Sequence, residues 1–373
     1  MQIALIRQRY TAFGGAERFV ANALEALKSQ GAQLTLVTRR WQGQAGLGAI
    51  VCDPFYLGSL WRDWGFARAV CRELARRDFD LVQSHERIPC CDVYRAGDGV
   101  HGQWLAERRR ALPAPQRLGL RLNPYHRYVL AAEKKLFASP RLKAVICNSR
   151  MVEEEIRRHF GVAEEKLHVI YSGVDTAAFH PELRTRHRRA VRERHGISND
   201  VPVFLHVGSG FERKGIARLL AALARLPDAA HALIVGKDKH LKRFQRLADH
   251  LGLAGRVFFT GGLTDVKPCY GAADVFCLPS LYDPFPNAAL EAMASGLPVV
   301  TSTQCGAAEM IEPGNNGFVC DALDVNALAE AMQRAAERSS EMGIAARRTV
   351  EPLTHAAMSA RLVELYQQLR SAR

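Results

Sequence analysis

Two series of short apolar runs, separated by stretches of helical periodicity, constrain the fold of this chain more than any other feature. The first series reads as strands at Gln2–Ile6, Gln33–Thr38, Ala49–Cys52, Leu81–Ser84, Val93–Tyr94, Ala144–Cys147 and His168–Tyr171. The second falls at Val203–Val207, Ala232–Val235, Val257–Phe259, Val275–Leu278, Pro298–Thr301 and Phe318–Val319. Runs that are apolar throughout, rather than alternating, belong to strands covered on both faces, and so to parallel sheets with helices above and below. Two such series predict an α/β chain of two doubly wound, Rossmann-like domains, placed at residues 1–176 and 177–354. Between the sheets the pattern turns to charge, with His187-Arg188-Arg189 and Arg192-Glu193-Arg194-His195. This reads as a solvated helix ahead of the next strand. The last segment, 355–373, sets Leu362, Leu365, Tyr366 and Leu369 on one helical face and is expected to pack back on the first domain.

A chain of 373 residues, 48% hydrophobic and 24% charged, has material for two soluble cores. The formal charge of +13 calls for an anionic partner: nucleic acid, an acidic membrane surface or a phosphorylated substrate. No nucleic-acid motif accompanies the charge, so nucleic-acid binding is not expected. The longest apolar runs, Ala144–Cys147 and Leu297–Val300, are far too short to span a bilayer. The N-terminus opens directly into a strand rather than a leader-like pattern, which gives a cytoplasmic expectation. The nine cysteines are odd in number, scattered and without a CxxC pair, and read as reduced, mostly buried thiols. No metal-ligand cluster is visible.

Three loops carry chemistry. Gly14 and Gly15 follow the first strand and precede a helical pattern, so backbone there can approach a ligand, and the helix start favours an anion. A tight strand–helix turn is the plainer alternative. Gly208 opens a second loop, Val207-Gly208-Ser209-Gly210-Phe211-Glu212-Arg213-Lys214-Gly215, at the carboxyl end of the second domain's first strand. Arg213 and Lys214 can neutralise a diphosphate there, one as a fork and the other as a point charge. The third loop joins Asp283 to Glu291, eight positions apart. Pro284 and Pro286 break the chain, Asn287 or Pro286 starts a helix over Ala288–Ser295, and Gly296 ends it. Backbone amides for phosphate, with carboxylates for hydroxyls, suit a nucleotide-sugar.

The string Ser280-x-x-Asp283-Pro-Phe-x-x-x-x-Leu290-Glu291-Ala-Met-Ala-x-Gly-x-Pro-Val resembles the signature of family 4 of the retaining glycosyltransferases, which have the GT-B fold. Further matches follow in family order: Phe13-Gly14-Gly15, Cys147-Asn148-Ser149, Ser172-Gly173-Val174-Asp175, Gly208 to Gly215, Ala272-Ala273-Asp274 and Gly306-Ala307-Ala308-Glu309. Within the family the chain is most similar to enzymes that glucosylate the heptose region of the lipopolysaccharide inner core. That similarity rests on Arg9-Tyr10-x-x-Phe13-Gly14-Gly15-x-x-Arg18, Trp41-x-Gly43 and Gly208-Ser209-x-Phe211-x-Arg213-Lys214-Gly215.

The resemblance implies two facing domains with a catalytic cleft between them, the first binding the acceptor and the second the donor. It implies that Glu291 binds the nucleotide ribose, that Asp283 contacts hydroxyls of the transferred sugar, and that Arg213 and Lys214 hold the diphosphate. Gly14, Gly15, Gly208 and Asn287 complete the expected nucleotide-sugar contacts. Asp283 stands where the family carries glutamate, one methylene shorter. Ser209 stands where many relatives carry arginine, work that Arg213 would take over. Relatives place an acid or histidine of the first domain near the reacting centre, which points to Asp98 and then His101 in Arg95-Ala96-Gly97-Asp98-Gly99-Val100-His101.

The expected reaction is transfer of a hexose, glucose from UDP-glucose, to a heptose of the lipopolysaccharide inner core, with no cofactor and no metal. A GDP-mannose enzyme acting on another lipid-linked or polysaccharide acceptor and an inactive nucleotide-sugar-binding scaffold are the alternatives. The segment 104–137 mixes arginines and lysines with Trp104, Leu118, Leu122, Tyr125 and Tyr128, the composition of a surface lying on an anionic membrane. The protein is therefore expected at the inner membrane's cytoplasmic side.

Overall fold

The computed structural model describes residues 1–8, 33–40 and 48–371. The chain divides into two compact units, residues 1–172 with 355–373, and residues 173–354. That division falls four residues before the boundary read from the sequence.

In the first unit the strands are β1 (Gln2–Ile6), β2 (Gln33–Thr38), β3 (Gly48–Val51), β4 (Leu81–Ser84), β5 (Val93–Arg95), β6 (Ala144–Cys147) and β7 (Leu167–Val169). They form one parallel sheet in the order β3-β2-β1-β4-β5-β6-β7. Both faces are covered. Ala4, Ile6 and Val82 pack with Phe66 and Val70 of the helix Gly58–Leu74. On the other face Ile3, Leu5 and Leu36 meet Met358, Leu362, Leu365 and Tyr366 of the helix His355–Ser371. Local chemistry sets the helix limits. Ser149 Oγ accepts from Val152 N (3.2 Å) to open the helix Arg150–Phe160, and Gly161 closes it at φ +62°.

In the second unit the strands are β8 (Val203–Val207), β9 (His231–Val235), β10 (Val257–Gly261), β11 (Val275–Leu278), β12 (Val299–Ser302) and β13 (Gly317–Cys320). The parallel order β10-β9-β8-β11-β12-β13 places the first strand of the unit at its centre, beside the fourth. At that reversal the connections after β8 and β11 leave toward opposite faces, opening a crevice outside their carboxyl ends.

Two expectations are corrected. Cys71 and Cys90 are joined in a disulfide, so the reading of all cysteines as thiols fails for this pair. The two are 19 residues apart, one on the helix Gly58–Leu74 and one on the loop after β4, and only the folding of the loop onto the helix makes them neighbours. The basic helix Glu182–Arg194 is also not solvated all round. Arg184, Arg188 and Arg192, spaced by four, lie on one helical face and converge on Asp274 at 3.1, 2.8 and 2.6 Å. Arg192 is wholly buried, and the Asp274 carboxylate that meets it also accepts from Val203 N (2.9 Å).

Candidate active site

The loops after β8 and β11 are zipped together by main chain. Leu281 N donates to Arg213 O (2.8 Å), and Arg213 Nη1 donates to Tyr282 O (3.1 Å). Lys214 N donates back to Gly210 O (3.1 Å), closing the glycine loop on itself. Gly215 makes the approach possible: it adopts φ +77°, and a Cβ there would lie 1.8 Å from Pro279 O. Ser209 Oγ accepts from Lys237 N (3.1 Å), so this residue braces the loop, while the Arg213 guanidinium reaches the second loop at Tyr282 O.

The zipped loops bring Lys214 onto Asp283. Both side chains are buried, and the Lys214 ammonium donates to Asp283 Oδ2, with Arg213 Nη1 at 3.7 Å from the same oxygen. Burial pushes the Asp283 carboxyl up. Lys214 and Arg213 more than offset this and hold it below its ordinary value, so the group is a carboxylate. Its backbone is pinned as well, Asp283 N donating to Gln304 O (2.9 Å) and Asp283 O accepting from Gly306 N (2.8 Å). His206 on β8 lies fully buried beside them. Its Nδ1 meets Cys277 O at 3.2 Å, and burial together with the Lys214 charge brings its pKa down to about 3, leaving a neutral imidazole. Two cations therefore face one carboxylate, and the Lys214 ammonium has donors beyond the one given to Asp283.

Glu291 lies in the second turn of the helix Asn287–Ala294, which Pro286 precedes in extended conformation and Gly296 follows at φ +77°. Its carboxyl is buried, and Tyr270 donates its hydroxyl to Glu291 Oε2 at 2.9 Å. Asn287 is the first helical residue, half-buried, at the positive end of the helix dipole. Gly208 directly follows β8 with a Cβ position 3.3 Å from Lys214 Cε, so any larger residue would press on that side chain. The arrangement suits a doubly charged, hydroxyl-rich ligand.

Residues 13–178 match the Glycosyltransferase Family 4 model, and residues 187–349 match that of Glycosyl transferases group 1. The chain belongs to the family 4 glycosyltransferases. This glycosyltransferase is 26% identical over 325 residues to the lipopolysaccharide glucosyltransferase WaaG of Escherichia coli strain K12, covering 86% of this chain and 85% of that protein. A crystal structure of WaaG superposes with a TM-score of 0.83 over 98% of this chain and 99% of that one, at 24% identity, which establishes the GT-B fold. Over a shorter stretch, 60% of this chain and 62% of the relative, it is 35% identical to a GDP-mannose-dependent phosphatidylinositol monomannoside mannosyltransferase of Mycolicibacterium smegmatis. Anabaena HepE, crystallised with UDP-glucose, has the same fold, with a TM-score of 0.75 over 99% of this chain and all of that one, at 20% identity.

The other candidates of this glycosyltransferase lie in its first unit, and the structure separates them. Asp98 is exposed, with Arg87 Nη1 at 3.8 Å. His101 opens the helix His101–Ala111, its N donating to Glu133 Oε1 (2.8 Å) and its Nε2 meeting His126 Nδ1 (3.0 Å). Burial, with the Arg87 charge and His126, pushes the His101 imidazole down to about 3, so it is neutral at physiological pH. Gly14 and Gly15 lie outside the described residues, as do the motif residues 9–18 and 41–43. Sequence reasoning missed Tyr270 and His206. A buried tyrosine three residues before Ala273-Asp274 carries no motif by itself, and a histidine inside an apolar strand reads as core.

Proposed function

We propose that the enzyme transfers glucose from UDP-glucose to a heptose of the lipopolysaccharide inner core, with retention of the anomeric configuration. The observation that carries this reading is the meeting of Lys214, Arg213 and Asp283 at the strand-order reversal, with Glu291 on the adjoining helix. The similarity to WaaG along most of the chain supports the donor and the acceptor. Lys214 and Arg213 bind the diphosphate in place of a metal ion, the amide of Asn287 meets its oxygens, Gly208, whose own N–H is given to Val235 O, lets the ligand approach the loop, Glu291 binds the ribose, and Asp283 contacts the transferred sugar. Gly14 and Gly15 are assigned to the nucleotide-sugar as well, and Asp98, with His101 second, to the reacting centre.

In the transfer, an acceptor hydroxyl oxygen forms a bond to C1 on the face from which the diphosphate departs. The C1–O bond to the phosphate breaks, and the hydroxyl proton passes to a leaving phosphate oxygen. The residues supply position and charge, Lys214 and Arg213 meeting negative charge as it grows on the diphosphate. Purified enzyme should transfer label from UDP-glucose to core-truncated lipopolysaccharide, with and without EDTA. Absence of both transfer and donor hydrolysis would sink the assignment. The mannosyltransferase likeness favours a second reading, and transfer from GDP-mannose in place of UDP-glucose would select it.

The acceptor places the enzyme on the cytoplasmic face of the inner membrane. No helix among the described residues is long and apolar enough to cross a membrane. Segment 104–137 forms parts of three helices, His101–Ala111, Ala114–Leu122 and Pro124–Phe137. Leu118 and Leu122 there are 59% and 65% exposed amid Arg109, Arg110, Arg117, Arg121 and Arg127, a surface suited to anionic headgroups. Reversing the charge of Arg108, Arg109 and Arg110 together is expected to lower binding to phosphatidylglycerol liposomes by about a hundredfold or more, at about 1 kcal/mol per cation lost. Equal pelleting of parent and variant would remove this segment from contact with the membrane.

A further inference from the structure

Tyr270 is wholly buried on the short helix Lys267–Ala272, outside the loops that carry the motifs. That helix is clamped to its neighbour: a Cβ on Gly271 would lie 2.2 Å from Leu183 O, so backbone packs on backbone. The tyrosine ring is fixed from two sides, edge-on to Phe179 (centroids 5.4 Å apart) and stacked toward Phe276 (6.3 Å). A ring held this way aims its hydroxyl along one line, and that line ends on the first turns of the helix Asn287–Ala294. The hydroxyl lies 2.9 Å from Glu291 Oε2 and 3.2 Å from Ala288 O. A buried carboxylate needs donors, and a donor on a rigid ring also fixes which way the carboxyl plane faces.

We propose that Tyr270 is a positioning residue for nucleotide binding, holding Glu291 in the rotamer that receives the ribose hydroxyls. This rests on the reading of Glu291 as the ribose anchor. The hydroxyl of Tyr270 touches no ligand itself. Its contribution is preorganisation: Glu291 does not have to be frozen into place when the nucleotide arrives. Removing the hydroxyl while keeping the ring therefore weakens nucleotide binding without unpacking the core.

The test is isothermal titration of the enzyme with UDP and with GDP, each a ribonucleoside diphosphate, using the parent, Tyr270→Phe, Glu291→Ala and the double variant. Tyr270→Phe is expected to raise the Kd of the better-bound nucleotide about tenfold, the scale of one hydrogen bond to a charged group. Its kcat should stay near that of the parent and its melting temperature fall by only a few degrees, the cost of one buried hydrogen bond, so the change appears in donor KM. In the Glu291→Ala background the same substitution should add nothing, because the group it orients is gone. Binding by Tyr270→Phe at parental affinity, or a full additive loss in the double variant, overturns the positioning role while leaving the ribose assignment intact. Unchanged binding by Glu291→Ala, or no binding of either nucleotide to the parent, overturns the ribose assignment and the proposal with it.

Discussion

Replacing Lys214 with alanine is expected to lower kcat/KM for the donor by about a hundredfold to a thousandfold, the range seen when one preorganised charge-stabilising donor is removed from an active site. Two losses combine. On the proposed reading the diphosphate loses a buried cation held in place before it arrives, and Asp283 loses the partner that offsets its burial. Because Lys214 and Arg213 hold the Asp283 carboxyl below its ordinary value, its ionisation contributes stability that is present above the unfolded-state pKa. That stability is lost as the pH falls through the lower folded-state value. Without Lys214 the burial effect is opposed chiefly by the more distant Arg213, with a smaller part from His206, so the carboxyl titrates higher and the acid limb of the pH–rate profile shifts to higher pH. Breaking a buried pair on one side costs about 3 kcal/mol, so a fall in melting temperature accompanies the fall in rate. The double variant Lys214→Ala/Asp283→Asn separates the two: it should regain most of the thermal stability and none of the turnover. Steady-state rates of Lys214→Ala within a few-fold of the parent would remove the lysine from the phosphate site.

Much of this was written locally in the chain. Strands buried on both faces leave continuous apolar runs, and those at Gln2–Ile6, Leu81–Ser84, Val203–Val207 and Val275–Leu278 keep the limits read from the sequence. Others moved by a residue or two at their ends, where solvent and strand pairing compete. The loops holding Lys214, Asp283 and Glu291 were legible because each carries its glycine, proline and charge within a few residues. What was hidden depends on packing between distant segments. Tyr270 meets Glu291 only because the helix Lys267–Ala272 docks through Gly271, and Arg192 looks like one more surface arginine until Asp274 is brought beneath it. Cys71 and Cys90 meet by the same kind of long-range closure. Asp98 and His101, three residues apart in sequence, have unlike surroundings, one in solvent and one tied to His126.

A contrast between two glycines tests the frame on which the donor loop depends. Gly210 and Gly215 lie in the same loop at nearly the same backbone angle, φ +80° and +77°. A Cβ on Gly210 would meet nothing within 4 Å, whereas one on Gly215 would fall 1.8 Å from Pro279 O. Alanine at either position bears the left-handed backbone cost, roughly 1 kcal/mol. At Gly215 it must also push one main chain off another, and neither can yield as a side-chain tip does. Gly215→Ala is therefore expected to destabilise by about 3 kcal/mol or more, against roughly 1 kcal/mol for Gly210→Ala, measured by urea unfolding. The displacement has a direction. Separating Gly215 from Pro279 loosens the Leu281 N to Arg213 O bond and draws Lys214 from Asp283, so donor turnover in Gly215→Ala should fall even at temperatures where the protein stays folded. Equal urea midpoints for the two variants would show that the approach of the β8 loop to Pro279 does not hold the cations in place.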